Sequence, residues 1–260
     1  MNLDGKSAIV TGAGGGIGRA IALGMASAGA RVAVADIDSQ AAAETVSMID
    51  ASASSESIAI AADMGDVEQI DQMVATAVQR FGRLDVMVNN AGVTRRAYVM
   101  DLTEEDFDRI SRVNFKGVFF GLQRAAREMI PRREGVIVNI ASIAGRGFVG
   151  ASNVIYAGTK GAVMALTMLA ARQLAQHNLN VNAVCPGHTD TALAGANLAK
   201  RAEQKGITVE EERAERVRDV PLRRFNEPAD IADTVVFLAS PAARNITGQS
   251  INVDGGIITS

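Results

Sequence analysis

The chain has 260 residues, of which 48% are hydrophobic and 21% charged, and its formal net charge is −3 at pH 7. This length and composition predict one α/β domain over 1–260, because a single core of that size serves the whole chain. The acidic balance lacks the basic field that nucleic acid needs, and two histidines with one cysteine make no metal-ligating cluster. We therefore expect neither nucleic-acid binding nor a catalytic metal.

The cellular location is predicted from the chain start and from the cysteine count. Residues 1–6 lack the apolar stretch of a signal peptide, and a lone cysteine, Cys185, can form no intrachain disulfide. No uninterrupted apolar segment approaches the ~20 residues that a membrane span requires. These features predict a cytoplasmic protein that does not cross a membrane.

Apolar runs alternate with amphipathic stretches along the chain. Strands are predicted at 8–11, 32–36, 57–62, 84–89, 135–141, 180–185 and 249–253. Helices are predicted at 18–29, 40–51, 66–81, 104–130, 155–177 and 228–239. This alternation predicts a doubly wound Rossmann-type domain, with a parallel sheet flanked by helices on both faces and ligands at the carboxyl ends of its strands.

A glycine-rich turn over 11–18 follows the first predicted strand and precedes a helix. Its glycines permit a tight turn and let N–H groups at the helix start approach a pyrophosphate. The second strand ends in Asp36, about 20 residues farther on, where an acidic side chain meets the adenosine ribose. Because that carboxylate repels a 2′-phosphate, the pattern predicts NAD as the cofactor. The contacts expected in the turn are Gly12, Gly15, Gly16, Ile17 and Gly18.

Tyr156 and Lys160 lie four residues apart in a predicted helix, fourteen residues and more beyond Ser142. This spacing puts the two side chains on one helix face, so the ammonium is expected to lower the pKa of the phenol. Ser142 ends a predicted strand, where its hydroxyl can hydrogen-bond a substrate oxygen. The three residues predict a tyrosine that exchanges protons with a substrate.

Taken together, these motifs resemble those of the short-chain dehydrogenases/reductases from about Gly5 to about Gly256. The residues that carry the resemblance are Thr11-Gly12-x-x-x-Gly16-x-Gly18, Asn89-Asn90-Ala91-Gly92, Asn114, Ser142, Tyr156-x-x-x-Lys160 and Pro186-Gly187. No catalytic position departs from the family pattern. The resemblance implies that Tyr156 takes the hydroxyl proton of a secondary alcohol while hydride passes to the nicotinamide.

The resemblance also assigns roles to single residues. It implies that Lys160 binds the nicotinamide ribose and that Asn114 holds a water linking Lys160 to solvent, so the catalytic set is Asn114, Ser142, Tyr156 and Lys160. Further cofactor contacts are implied at Asp63, Asn90, Gly92, Gly187, Thr189 and Thr191. Asn90 is also expected to satisfy backbone groups of its own loop. Without the resemblance, Asp63 would be interpreted only as a capping residue.

The stretch over 188–224 breaks the alternation of strands and helices and carries many charges. The resemblance implies a lid over cofactor and substrate, with its charged side facing outward and Leu193 and Leu198 facing the pocket. Candidate substrate contacts near this pocket are Arg95, Arg96, Ile143, Arg146, Phe148, Asn153 and His188. Arg95 and Arg96 either bind an acidic group or are solvated loop residues, and His188 either faces the substrate or starts the lid.

Three functions fit these observations. The first is an NAD-dependent dehydrogenase that interconverts a secondary alcohol and a ketone or lactone on a small polyol, diol or sugar. The alternative is a 3-oxoacyl thioester reductase with an acidic carrier, for which a basic surface is available at Arg124, Arg127, Arg132, Arg133 and Arg172. The third, a dinucleotide-sensing protein without catalysis, is disfavoured by the intact catalytic set.

Two predicted helices, 104–130 and 155–177, carry apolar residues on more than one face. They include Val118, Phe119, Phe120, Met164, Leu166 and Met168. One face of a sheet needs fewer apolar side chains than this, so some are expected to meet another subunit. The family resemblance implies a homotetramer.

Overall fold

The structure is a computed structural model that describes residues 1–53, 55–148, 150 and 152–259, with the side chain of Leu193 excluded. The inward position predicted for Leu193 thus lies outside the described residues. Its strands are β1 (Ser7–Thr11), β2 (Arg31–Asp36), β3 (Ser57–Ala61), β4 (Val86–Asn89), β5 (Gly135–Ile140), β6 (Leu179–Pro186) and β7 (Ser250–Val253). These seven described strands form one parallel sheet in the order β3-β2-β1-β4-β5-β6-β7.

Helices cover both faces of this sheet, as the alternating pattern predicts. They are α1 (Gly16–Ser27), α2 (Ser39–Ser52), α3 (Val67–Phe81), α4 (Glu104–Ser111), α5 (Val118–Met129), α6 (Val154–Leu174), α7 (Ala192–Lys205), α8 (Val209–Arg218) and α9 (Pro228–Ala239). Neighbouring residues of β1 point to opposite faces: Ala8 and Val10 pack with α1, α2 and α9, whereas Ile9 packs with α3, α5 and α6. The predicted doubly wound Rossmann-type fold is confirmed.

The helix predicted over 104–130 is interrupted in its middle. A π-helical segment, Arg112–Gly117, separates α4 from α5. Gly117 packs so closely against the main-chain oxygen of Met64 that any Cβ there would overlap it. Single π-helical turns inside helices frequently mark functional sites, and this one carries Asn114.

The stretch over 188–224 forms two helices, α7 and α8, at the carboxyl edge of the sheet. Gly206 ends α7 with a φ of +66°, and Thr208 starts α8 through a capping box with Glu211. Leu198 is buried with Val220 and Phe225, so these two helices have a small apolar core of their own.

One described segment, Val154–His177, is long and apolar enough to span a membrane, with a mean hydropathy of 1.4. It is not an uninterrupted apolar run, because Lys160 and Arg172 lie within it. In the fold it is the helix α6 that packs against β6 and contains the buried residues Lys160 and Thr167. A core helix of an α/β protein passes the same hydropathy test, because it has to bury one apolar face.

Candidate active site

A cavity of about 680 Å³ opens at the carboxyl ends of the strands. Its walls combine the glycine turn, the ends of β2, β4, β5 and β6, and the two helices α7 and α8. This is the place where open parallel sheets bind ligands, at the point where the strand order reverses between β1 and β4. The volume is in the range of small-molecule and cofactor sites.

The glycine turn leaves room for a ligand close to the backbone. Gly12 has a φ of +62°, and a Cβ there would lie 2.8 Å from Cα of Ala91. A Cβ at Gly18 would overlap the main-chain oxygen of Gly12, whereas one at Gly15 would meet no atom within 4 Å. Gly15 also has no side chain to cap α1, so the helix start faces the cavity as a phosphate site requires.

Asp36 and Asp63 place carboxylates along the wall beside this turn. Asp36 follows the buried part of β2, and its carboxylate accepts hydrogen bonds from the N–H groups of Gly14 at 2.8 Å and Asp38 at 3.0 Å. Asp63 accepts from the N–H of Gly65 at 2.7 Å and lies 3.3 Å from Arg112. Both line the cavity, so its turn-side end presents acceptors of the kind that bind ribose hydroxyls.

Asn90 fixes the loop after β4. Its amide nitrogen donates to the main-chain oxygens of Thr11 at 2.8 Å and Gly12 at 3.1 Å. The residue thus has the loop-supporting role expected for it. It also lines the cavity with Gly92, so this same loop reaches the ligand space.

Ser142 and Tyr156 meet at the cavity wall. The Ser142 hydroxyl accepts a hydrogen bond from the N–H of Ala144 at 3.1 Å, which fixes it at the end of β5. Burial raises the pKa of the Tyr156 phenol, and hydrogen bonding with Ser142 partly opposes that rise. The phenol is therefore protonated at neutral pH, in a form that can donate to a substrate oxygen.

Lys160 is buried beneath this pair. Its Nζ donates to the main-chain oxygen of Ile140 at 2.6 Å and lies 5.7 Å from the centroid of the Tyr156 ring. Burial lowers the pKa of this lysine to about 8. The expectation that Lys160 lowers the pKa of the phenol is not met, because burial of the ring dominates and raises it.

Asn114 lies behind the cavity wall and is fully buried. Its Oδ1 accepts from the N–H of Val93 at 2.7 Å, and its Nδ2 donates to the Val93 oxygen at 2.9 Å. A Cβ on Gly92 would lie 3.4 Å from Asn114 Oδ1 and 3.6 Å from Lys160 Nζ. Asn114 and Lys160 thus approach the same point beside Gly92.

Comparisons with known proteins agree with this geometry. The family model described as Enoyl-(Acyl carrier protein) reductase matches residues 12–258. The crystal structure of a short-chain type dehydrogenase/reductase from Mycobacterium marinum superposes with a TM-score of 0.89 and 33% identity, over 100% of this chain and 98% of that one. This chain belongs to the short-chain dehydrogenase/reductase family.

Two curated members of the family are similar over nearly their whole length. The 3-oxoacyl-(acyl-carrier-protein) reductase FabG of Staphylococcus aureus (strain Mu50 / ATCC 700699) is 41% identical over 253 residues, 97% of this chain and 98% of its own. The sorbitol dehydrogenase of Cereibacter sphaeroides is 40% identical over 260 residues, 98% of each chain. This short-chain dehydrogenase/reductase is therefore an oxidoreductase acting on CH–OH groups, with a nicotinamide dinucleotide as its cofactor.

The segment after β6 forms another part of the cavity wall. Gly187, Thr189 and Thr191 all line it. A Cβ at Gly187 would lie 2.6 Å from Cβ of Asp254, so only glycine fits there. Thr191 caps α7 by accepting from the N–H of Ala194 at 3.2 Å, which fixes the start of the lid beside the glycine turn.

Several candidate substrate residues lie elsewhere. Arg95 is paired with Asp106 at 2.5 Å, outside the cavity lining. Asn153 caps α6 by accepting from the N–H of Tyr156 at 2.7 Å, so it positions the catalytic helix. Ile143 is buried in an apolar cluster, and Arg146 donates to Asn252 at 3.0 Å. Short polar and basic residues near a site often act as caps or surface partners, and the sequence alone does not separate these roles.

His188 and Arg96, in contrast, line the cavity. The His188 ring lies between the rings of Phe148 and Phe225, with centroid distances of 5.4 Å and 5.2 Å. Phe148 therefore supports a residue of the cavity wall by packing against His188. Burial, together with nearby arginines, lowers the pKa of His188 to about 4. The imidazole is neutral at physiological pH.

Arg201 and Arg216 are cavity residues that the sequence did not reveal. Both were expected among the outward charges of the lid, yet they face inward from α7 and α8. Along the chain they are surrounded by other charges and carry no signal of their own. Only the packing of the two helices on the sheet edge turns them toward the ligand space.

Proposed function

We propose that this enzyme interconverts a secondary alcohol and the corresponding ketone or lactone on a small hydroxylated molecule such as a polyol, diol or sugar, with NAD(H) as cofactor. The observation that carries the proposal is the convergence of Ser142, Tyr156 and Lys160 on one cavity that also contains Asp36. The whole chain acts as one domain, with α7 and α8 as its lid.

Tyr156 acts as the acid and base in this mechanism. In ketone reduction its protonated phenol donates to the substrate oxygen. In alcohol oxidation the phenol first passes its own proton to the relay behind it, and the phenolate then accepts the hydroxyl proton. Ser142 donates a hydrogen bond to the same oxygen and orients it toward Tyr156. The nicotinamide supplies or accepts the hydride when it is bound.

Lys160 and Asn114 support the proton transfer from behind. Lys160 holds a positive charge below the phenol and is oriented by Ile140 on the sheet. Its lowered pKa, about 8, lets it exchange protons near neutrality. Asn114 fixes the Val93 loop beside Lys160, so the relay from the phenol to solvent passes next to Gly92.

NAD is favoured over NADP by the electrostatics of the turn. The Asp36 carboxylate is held by the N–H of Gly14 beside the position expected for the adenosine ribose. A 2′-phosphate at that position meets like charge, whereas ribose hydroxyls meet an acceptor. The turn itself, Gly14-Gly15, provides no basic side chain to offset the phosphate.

A 3-oxoacyl thioester reductase is the second candidate, and the similarity to the Staphylococcus aureus FabG protein favours it. Some arginines of the basic surface proposed for its carrier are paired with carboxylates in the structure, so less positive charge is available there than the sequence suggests. Arg124 pairs with Asp71, and Arg132 lies 3.4 Å from Asp85. Arg133 is next to the start of β5, at the opposite edge of the sheet from the cavity of the same subunit.

A screen of cofactor turnover tests the ranking of the two candidates. NAD reduction is followed across polyols, sugars, diols and hydroxy acids, and NADH and NADPH oxidation with acetoacetyl thioesters is measured in parallel. We expect alcohol oxidation with NAD. Strong thioester reduction without alcohol turnover would reverse the ranking, and an absence of any turnover would favour the sensing protein.

The assembly and the location are also proposals. The exposed side of α6 presents Val154, Gly158, Ala165 and Leu169, which share one helix face. Phe119 on α5 is 38% exposed. Of the apolar residues expected to contact another subunit, Val118 and Met164 are instead buried within the chain. We infer a cytoplasmic homotetramer that covers this exposed apolar face.

A further inference from the structure

Three arginines converge on the lid end of the cavity. Arg96 comes from the loop after β4, Arg201 from α7 and Arg216 from α8, and all three line the same space. They are far apart in sequence, so their meeting is a product of the fold. Asp36 and Asp63 lie at the glycine-turn end, which gives the cavity one acidic and one basic end.

The positive charge of this cluster is only partly neutralised. Glu212 is fully buried and accepts from Arg201 at 3.2 Å, and it also pairs with Lys205 at 2.6 Å. Among the described residues, neither Arg96 nor Arg216 has a carboxylate within 4 Å. Unbalanced like charges in a partly buried space cost free energy, which a bound anion relieves.

Individual donors in the cluster also lack partners. Nε of Arg201 is buried and has no hydrogen-bond acceptor among the described residues. Buried donors of this kind are nearly always satisfied in native proteins, so an unmet one on a residue that lines a cavity points to a ligand. Arg96 has no side-chain hydrogen bond to any described residue either.

His188 orients the cluster toward the reaction centre. Its ring nitrogens lie 3.0 and 3.2 Å from Nη2 of Arg216, and its ring packs on Phe148 in the segment that follows Ser142. Because the imidazole is neutral, it positions the guanidinium without adding repulsion. Arg216 therefore lies beside His188 in the cavity lining, and the planar fork of an arginine suits an oxyanion.

We propose that the substrate carries an oxyanion, a carboxylate or a phosphate, in addition to its reacting carbinol, and that Arg96 and Arg216 bind this group. The inference rests on the proposed function and narrows it from neutral polyols to hydroxy acids, sugar acids or phosphorylated polyols. Arg201, held by Glu212, contributes its remaining donors from the back of the site.

Matched substrate pairs test the proposal directly. The pairs are 3-hydroxybutyrate with 2-butanol, gluconate with sorbitol, and sorbitol 6-phosphate with sorbitol. The first two test a carboxylate and the third tests a phosphate. We expect the anionic member of a pair to have the higher kcat/KM by about tenfold or more, as charge-assisted hydrogen bonds imply. A preference for the neutral members would overturn the proposal.

Substitutions of single arginines test which residues bind the anionic group. Arg96→Gln and Arg216→Gln should lower kcat/KM for the anionic substrate about tenfold to a hundredfold, a clearly larger loss than for the neutral partner. Arg218→Gln, the same change of charge on the same helix but outside the cavity lining, should leave both unchanged. An equal loss on both substrates, or a rise in the KM for NAD alone, would contradict the assignment.

A binding measurement separates this proposal from the proposed function. Thermal stability with NADH is compared in the presence of malonate, glycerol 3-phosphate or glycerol. Stabilisation by an anion, lost in Arg216→Gln, supports the arginine site even if no alcohol in the panel is turned over, an outcome that counts against the proposed function only. Turnover of neutral alcohols without stabilisation by either anion would leave the proposed function intact and overturn the oxyanion site.

Discussion

The Nζ atom of Lys160 donates a 2.6 Å hydrogen bond to the main-chain oxygen of Ile140, the last residue of β5. The ammonium is therefore anchored to the sheet, and its distance of 5.7 Å from the Tyr156 ring centroid leaves the phenol free to face the substrate. Because the ammonium is buried, its pKa falls to about 8. The charge that supports catalysis is thus maintained at a cost to the stability of the fold.

Lys160→Met should reveal this cost, because the difference in the free energy of unfolding between the wild type and the variant should depend on pH. An unfolded lysine keeps its proton up to pH ~10.4, whereas folded Lys160 releases it near pH 8. Between these values the unfolded state binds more protons, so the stability of the wild type rises with pH relative to the variant, by about 3 kcal/mol in all. Urea unfolding of both proteins from pH 7 to ~10.5 measures the difference. A difference that stays constant over this range would mean that folded Lys160 keeps its proton as the unfolded lysine does, so that burial does not lower its pKa.

Tyr156→Phe should lower kcat by about a hundredfold to ten-thousandfold, because the ring remains while the proton-transferring hydroxyl is lost. NADH binding, followed by fluorescence, should change little. Tyr98→Phe is the matched control, since Tyr98 is the other tyrosine of the chain and is 71% exposed. Near-native turnover in Tyr156→Phe on a confirmed substrate would refute the acid and base role.

Two glycines of the turn should respond differently to alanine. Gly18→Ala forces Cβ against the main-chain oxygen of Gly12. We expect the free energy of unfolding to fall by about 1–3 kcal/mol or more, as at other overpacked sites. Gly15→Ala meets no protein atom within 4 Å but places a methyl group in the cavity wall, so it should fold normally and raise the KM for NAD. Thermal unfolding and cofactor kinetics of the pair check both outcomes. Equal destabilisation by the two changes would count against this geometry.

Asp36→Asn should shift cofactor preference toward NADP. The amide oxygen can still accept from the N–H of Gly14, while the charge that repels a 2′-phosphate is gone. We expect the ratio of kcat/KM for NAD to that for NADP to fall by about tenfold or more. Asp50→Asn, a charge change on the exposed side of α2, is the control. A wild-type enzyme that prefers NADP would contradict the role given to Asp36.

Leu169→Glu should dissociate the proposed tetramer. Leu169 is 63% exposed on α6 and has the apolar neighbour Met168, 50% exposed, on the same helix. A charge there opposes burial against another subunit. Met48→Glu on α2 is the control, because Met48 is also exposed but lies on a different helix. Light scattering that shows a monomeric wild type at micromolar concentration would contradict the assembly.

Much of the architecture could be read from local patterns. The helix α9 begins and ends where the pattern puts it, at 228–239, because Pro228 at its start and the apolar period behind it are local signals. The strands β1, β2 and β5 agree within one residue at either end, since buried parallel strands are continuous apolar runs. The break in the helix over 104–130 was not predictable, because the π-helical turn at Asn114 is fixed by contacts with Val93 and Met64 from distant segments.

The same division runs through the candidate site. The fold class, the glycine turn with Asp36, and the set of Ser142, Tyr156 and Lys160 could be predicted from the sequence, because they depend on local patterns and on their spacing along the chain. Which charged residues line the cavity depends on the fold: Arg95 pairs with Asp106, whereas Arg96, Arg201 and Arg216 line the cavity. Side-chain direction in loops and lid helices depends on what packs beside them, and burial, which sets the pKa values of Tyr156, Lys160 and His188, is a property of the folded chain alone.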